Sequence, residues 1–144
     1  MNEQSYELMV NCAKGAVMGK NALNSMANYV SGEEAKQFLL KAAAEHEAIG
    51  KKINEAIEAE NREPQPLSKM AVWFAEQGIK LKFYDIRNDG EVMTSVASAC
   101  DKALRSLDKY AREYPAAEPE AKKWLDKITL LQRSTKKKSL QYFG

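Results

Sequence analysis

The chain carries one histidine and two cysteines. Cys12 and Cys100 are too few for a disulfide framework and too far apart for a short-spaced zinc pair, so they read as free thiols of a core. No glycine-rich phosphate loop and no Ser-His-Asp set occurs, which leaves nucleophilic catalysis without a candidate. No apolar run approaches the roughly 18 residues of a membrane span. The opening Met1, Asn2, Glu3 and Gln4 lack the basic-then-apolar layout of a signal peptide, so the expectation is a cytoplasmic protein with no membrane partner. Charge of one sign is also scarce: 22 Lys and Arg against 20 Asp and Glu leave a net +2, no field for a nucleic-acid partner. Lys136, Lys137 and Lys138, with Arg133 nearby, read as a solvated terminal charge run.

Only seven glycines and four prolines interrupt the chain, between long stretches of the helix formers Ala, Glu, Lys and Leu. The 144 residues suit one domain spanning 1–144. Punctuation at Ser31–Gly32, Asn61–Pro66, Asn88–Gly90 and Tyr114–Pro115 predicts five helices over about 4–30, 33–60, 67–87, 91–113 and 119–135, with a loose tail beyond. At about 100° per residue, Met9, Cys12, Ala13, Ala16, Leu23 and Ala27 share one face of the first helix. Phe38, Ala42, Ile49 and Ile53 do so in the second, and Met93, Val96, Cys100, Leu104 and Leu107 in the fourth. The third helix has two stripes. Leu67, Met70, Phe74 and Leu81 serve as its bundle-facing side, and Val72, Ile79, Phe83 and Ile86 form an outer stripe too apolar to face water. That outer stripe is the expected interface of a homodimer, unless the fifth helix covers it with Trp124, Ile128 and Leu131. The fold class is therefore an all-α, antiparallel four-helix bundle with an additional C-terminal helix docked outside.

Helical bundles that work as metalloenzymes direct Glu and Glu-x-x-His groups inward from facing helices. His46 lies inside the apolar face of the second helix, about 40° from Ala42. Glu45 flanks that face, but adjacent residues point about 100° apart and cannot chelate one ion as an i, i+4 pair would. Asp101 and Asp108 sit at the edges of the fourth helix's stripe, and Ala16 stands where the first helix would need a carboxylate. His46 thus reads as a hydrogen-bonded core histidine. Lys20 falls on the buried face of the first helix and needs either a partner, for which Glu45 is in reach across the hairpin, or a path to the rim along its aliphatic stem. Gly15 and Gly19 are spaced for close helix packing.

With these residues in view, the first two helices resemble the ferritin-like superfamily, specifically its rubrerythrin-type helix hairpin. Ala13 to Ala27, with Lys20 and Asn21, are similar in layout to the family's first helix, and Phe38, Ala42 and Glu45 match its second. Ala16 and Ala48 occupy the places of a ligand Glu and a ligand His, so Glu45 alone carries over. Glu63, Pro64, Ser68, Trp73, Lys80, Cys100 and Tyr110 are similar to bacterial members of the superfamily that lack the full metal set. The resemblance implies a ferritin-like bundle with a degenerate metal site, in which the second and third helices run parallel. Asn61–Pro66 spans only about 20 Å for such a crossover, so simple up-down-up-down order is the alternative. The expected function is that of a non-catalytic structural or interaction protein with no cofactor. The alternative is a di-metal carboxylate oxidoreductase or iron-handling protein using Glu45 and His46, with Asp101 or Asp85. A bundle binding a small apolar ligand among its Ala and Met side chains is the third class.

Overall fold

The computed structural model describes residues 1–86 and 88–141. They form α1 (Glu3–Met26), followed by a 3-10 turn (Ala27–Tyr29), α2 (Glu33–Ala59), α3 (Lys69–Lys82), α4 (Asp89–Glu113) and α5 (Pro119–Gln141), with no strand among them. Local chemistry sets the ends. The Asn2, Ser68 and Asn88 side chains accept from the backbone N–H of Ser5 (2.8 Å), Ala71 (3.0 Å) and Glu91 (2.9 Å), capping α1, α3 and α4. Asp89 and Gly90, expected in a turn, belong to α4 because Asn88 caps ahead of them. α2 ends with Asn61 in the left-handed region at φ 59°, a conformation Asn tolerates. The Asn61 and Arg62 amides then donate to the Glu58 and Ile57 carbonyls, closing a Schellman motif.

The contacts between ends give each helix its direction. Arg62 meets Glu3 at 3.1 Å, and the Tyr6 hydroxyl donates to the Glu63 carbonyl at 2.7 Å, so α2 finishes where α1 begins. The Ser31 and Gly32 amides donate to the Asp89 carboxylate at 2.7 and 2.8 Å, so α4 begins where α2 begins. The Ala116 amide donates to Gln4 and the Glu118 amide to the buried Ser5 hydroxyl, so α4 ends and α5 begins beside the start of α1. α1 and α5 therefore run one way, α2 and α4 the other. The crossover that makes α2 and α4 parallel is the whole stretch from Asn61 to Asn88, with α3 inside it, rather than Asn61–Pro66 alone.

The helix outside the bundle is accordingly α3 and not the C-terminal helix. α5 buries Ala121, Leu125, Ile128, Gln132, Thr135 and Ser139 against its neighbours, whereas α3 buries none of its residues. The inward stripe of α5 advances in steps of four and three and does not stop at Thr135. Its last three members are polar, and the two hydroxyls among them are satisfied on their own helix: Thr135 donates to the Leu131 carbonyl and Ser139 to that of Lys136. The predicted loose tail is helical through Gln141 for this reason. The third helix closes at Lys82, short of its predicted end; Arg87 lies outside the described residues.

Buried apolar side chains gather in two clusters. One joins Leu8, Met9, Cys12 and Ala13 to Ile53, Ile57, Leu107, Ala121, Leu125 and Ile128. The other joins Leu23, Met26 and Ala27 to Leu39, Ala42, Phe83, Val92, Met93, Val96 and Cys100. Between them, at mid-height, the core turns polar.

Candidate functional site

The polar layer is one pair. His46, 1% exposed, lies on α2, and Gln132, 4% exposed, lies on α5. His46 Nδ1 is 2.7 Å from the Ala42 carbonyl oxygen. A carbonyl only accepts, so Nδ1 carries the proton, and in the neutral ring Nε2 is an acceptor. Gln132 Nε2 stands 2.8 Å from it and donates. Burial pushes the imidazole pKa below its usual 6.5, outweighing the opposing pull of the Ala42 and Gln132 hydrogen bonds and of Glu45, and keeps the ring neutral. The ring fixes its neighbour on α1: a Cβ at Gly19 would stand 2.6 Å from His46 Cδ2. Gly19 is a close-packing position, as its spacing implies, because an imidazole fills the place of its side chain. Gly15, one turn earlier, meets nothing within 4 Å.

That open space belongs to a cavity of about 280 Å³ between α1 and α4. Gly15, Gly19 and Ala22 border it from α1, Ala99, Cys100 and Ala103 from α4, and His46 with Gln132 forms part of its wall. Burial pushes the Cys100 thiol up to about 12, so it stays protonated there, as does Cys12 deeper in the core.

The other sequence-derived candidates stand apart. Glu45 is exposed on α2, beside a groove shared with Lys41 and Lys138, and does not join Lys20 in a buried ion pair. Lys20 instead reaches the rim, its side chain 31% exposed, and meets Glu47 at 3.8 Å. Glu47, two residues beyond Glu45 and about 200° around α2 from it, is the solvated carboxylate that the ammonium meets. Asp101 is held by Lys136 at 2.7 Å, and Asp85 is exposed in the turn after α3. Ala48, the place of the family's histidine, is exposed, whereas His46 is the inward position. Among the described residues no three His, Cys, Asp or Glu side chains come together as a metal site.

The two stripes of α3 are reversed from expectation. Phe83 is 2% exposed, edge-on to Tyr29 at 5.0 Å between centroids, and Val72, Ile79 and Ile86 are half-buried. They are the inner stripe, packed within their own chain, and do not form an outer interface. The face left open carries Met70, Trp73, Phe74 and Leu81, with Tyr84 just beyond the helix; Leu81 is 80% exposed. Sequence reasoning identified two stripes correctly but had no signal for their sides, since both are apolar and both follow the helical repeat. Gln132 was missed altogether, because a lone glutamine on a polar-looking segment announces nothing until α2 faces it.

No helix among the described residues is long and apolar enough to cross a membrane. No family model, curated protein or solved structure matches the chain.

Proposed function

We propose that this chain is a non-catalytic, ferritin-like bundle of the cytoplasm that works through protein contacts, first of all with a second copy of itself. The observation that carries the reading is the open face of α3 and of the turn after it, where Met70, Trp73, Phe74, Leu81 and Tyr84 stand in water. Met70, Phe74, Gln77, Leu81 and Tyr84 follow steps of four and three, the spacing of a helix-to-helix seam. A second α3 running antiparallel about a two-fold at Gln77 sets Met70 opposite Tyr84 and Trp73 opposite Leu81 of the second copy. Such an isologous contact is closed and self-complementary. The ferritin-like label is supported by the parallel α2 and α4 joined by a long crossover.

The di-metal alternative does not fit the residues. Both ring nitrogens of His46 are engaged in hydrogen bonds, Glu45 faces outward, and Asp101 is taken by Lys136. Light scattering tests the self-association. The wild type should have the mass of a dimer at micromolar concentration, and Trp73→Glu with Leu81→Glu should give a monomer of unchanged helical circular dichroism. A wild-type monomer at high concentration would refute the proposal.

A further inference from the structure

The cavity between α1 and α4 has features that packing alone does not require. Small residues on two facing helices ordinarily let the helices close together, yet here α1 packs on α2 and α4 on α5, leaving Gly15 and Ala103 bordering empty space. The space of about 280 Å³ opens to solvent past Met18 and Lys102 and approaches the roughly 300 Å³ of the smaller ligand pockets. For scale, an engineered apolar cavity of about 150 Å³ accommodates benzene.

A buried amide marks one part of its wall. Gln132 is nine-tenths buried and more, and its Nε2 is committed to His46, an arrangement fixed in turn by the Ala42 carbonyl. Its Oε1 has no donor among the described residues. Gln132 borders the cavity, and that oxygen is the part of its amide not engaged with His46. A carbonyl oxygen accepts, and the group it lacks is a donor. Lys102 supplies the one charged side chain of the lining, and it is exposed at the mouth, so an ion carried to the interior would lose its hydration without a partner.

We propose that this cavity is a binding site for a small, uncharged, mainly apolar alcohol or phenol of about two fused rings, its hydroxyl donating to Gln132 Oε1. Leu23, Met26, Val96 and Ile128 supply the apolar contact. The site is independent of the α3 face and makes no use of it.

Three probes of one shape test it on the full chain by isothermal titration calorimetry: 2-naphthol, naphthalene and 2-naphthoate. The expected result is saturable one-site binding of 2-naphthol, with naphthalene about three- to tenfold weaker for want of the hydrogen bond. The anionic 2-naphthoate should be weaker still. Gln132→Leu should erase the preference for 2-naphthol over naphthalene. As that change also leaves His46 Nε2 without its donor, Gly15→Leu serves as the second variant. It exchanges a helix-interior glycine for a good helix former with room for its Cβ, so it should fold at least as stably while blocking all three probes. Absence of saturable 2-naphthol binding to the wild type, as when water alone fills the space, would overturn the proposal. So would undiminished binding to Gly15→Leu, or 2-naphthoate binding as tightly as 2-naphthol.

Discussion

His46 shows how a single residue can be read from sequence in kind but not in company. Its position on the apolar face of the second helix announces a core histidine, and the structure adds why it stays neutral: burial opposes the charge, and the Ala42 carbonyl and Gln132 amide use both nitrogens. The consequence for pH has a definite sign. The folded pKa lies below the usual 6.5, so the unfolded chain binds the proton more readily than the folded one. The contribution of His46 is whole above pH 6.5 and declines as pH falls from there toward the lowered folded value. Urea unfolding on either side of pH 6.5 should show that loss in the wild type and not in His46→Gln. An equal slope in both proteins through this window would assign the titration elsewhere. Gln132 was illegible for a different reason: its role depends on a partner 86 positions away, and periodicity carries no information about which helix another faces.

At the scale of elements, the helices themselves were legible because glycine, proline and capping residues mark their ends, and all five predicted spans start within two residues of those observed. The failures lie where packing overrides local pattern. The fifth helix looked finished at Thr135 because polar residues follow, yet Ser139 is fully buried. For α3 the sidedness was reversed, and the correction makes a prediction. Phe83→Ala should cost about 3 kcal/mol in chemical unfolding, as the loss of a core aromatic does. An exposed interface residue would leave monomer stability almost unchanged. The turn between α1 and α2 depends on α4 in the same way. Asp89 accepts from the Ser31 and Gly32 amides and so ties the turn ahead of α2 to the first turn of α4. Asp89→Ala should therefore destabilise the chain by about 1–2 kcal/mol, with faster amide hydrogen exchange at Ser31 and Gly32. Exchange unchanged at those two amides would show that the carboxylate does not hold them.

The whole molecule is a bundle of α1, α2, α4 and α5 whose crossover helix lies outside, packed by one apolar stripe and open along the other. Sequence alone left the topology undecided because it treated Asn61–Pro66 as the entire crossover. Once α3 is part of that connection, its length is ample and its second stripe becomes the surface to be explained. The central claim is that this stripe meets its own copy about a two-fold at Gln77. Cysteine placement tests it directly, since the native thiols of Cys12 and Cys100 are buried with pKa values pushed up to about 12 and stay out of mild oxidation. Gln77→Cys brings two thiols together at the proposed axis, whereas Met70→Cys leaves each thiol facing Tyr84 of the other copy. The account predicts rapid formation of a disulfide-linked dimer by Gln77→Cys under mild oxidation, with little by Met70→Cys. Equal cross-linking at the two positions, or none at Gln77→Cys, would contradict it.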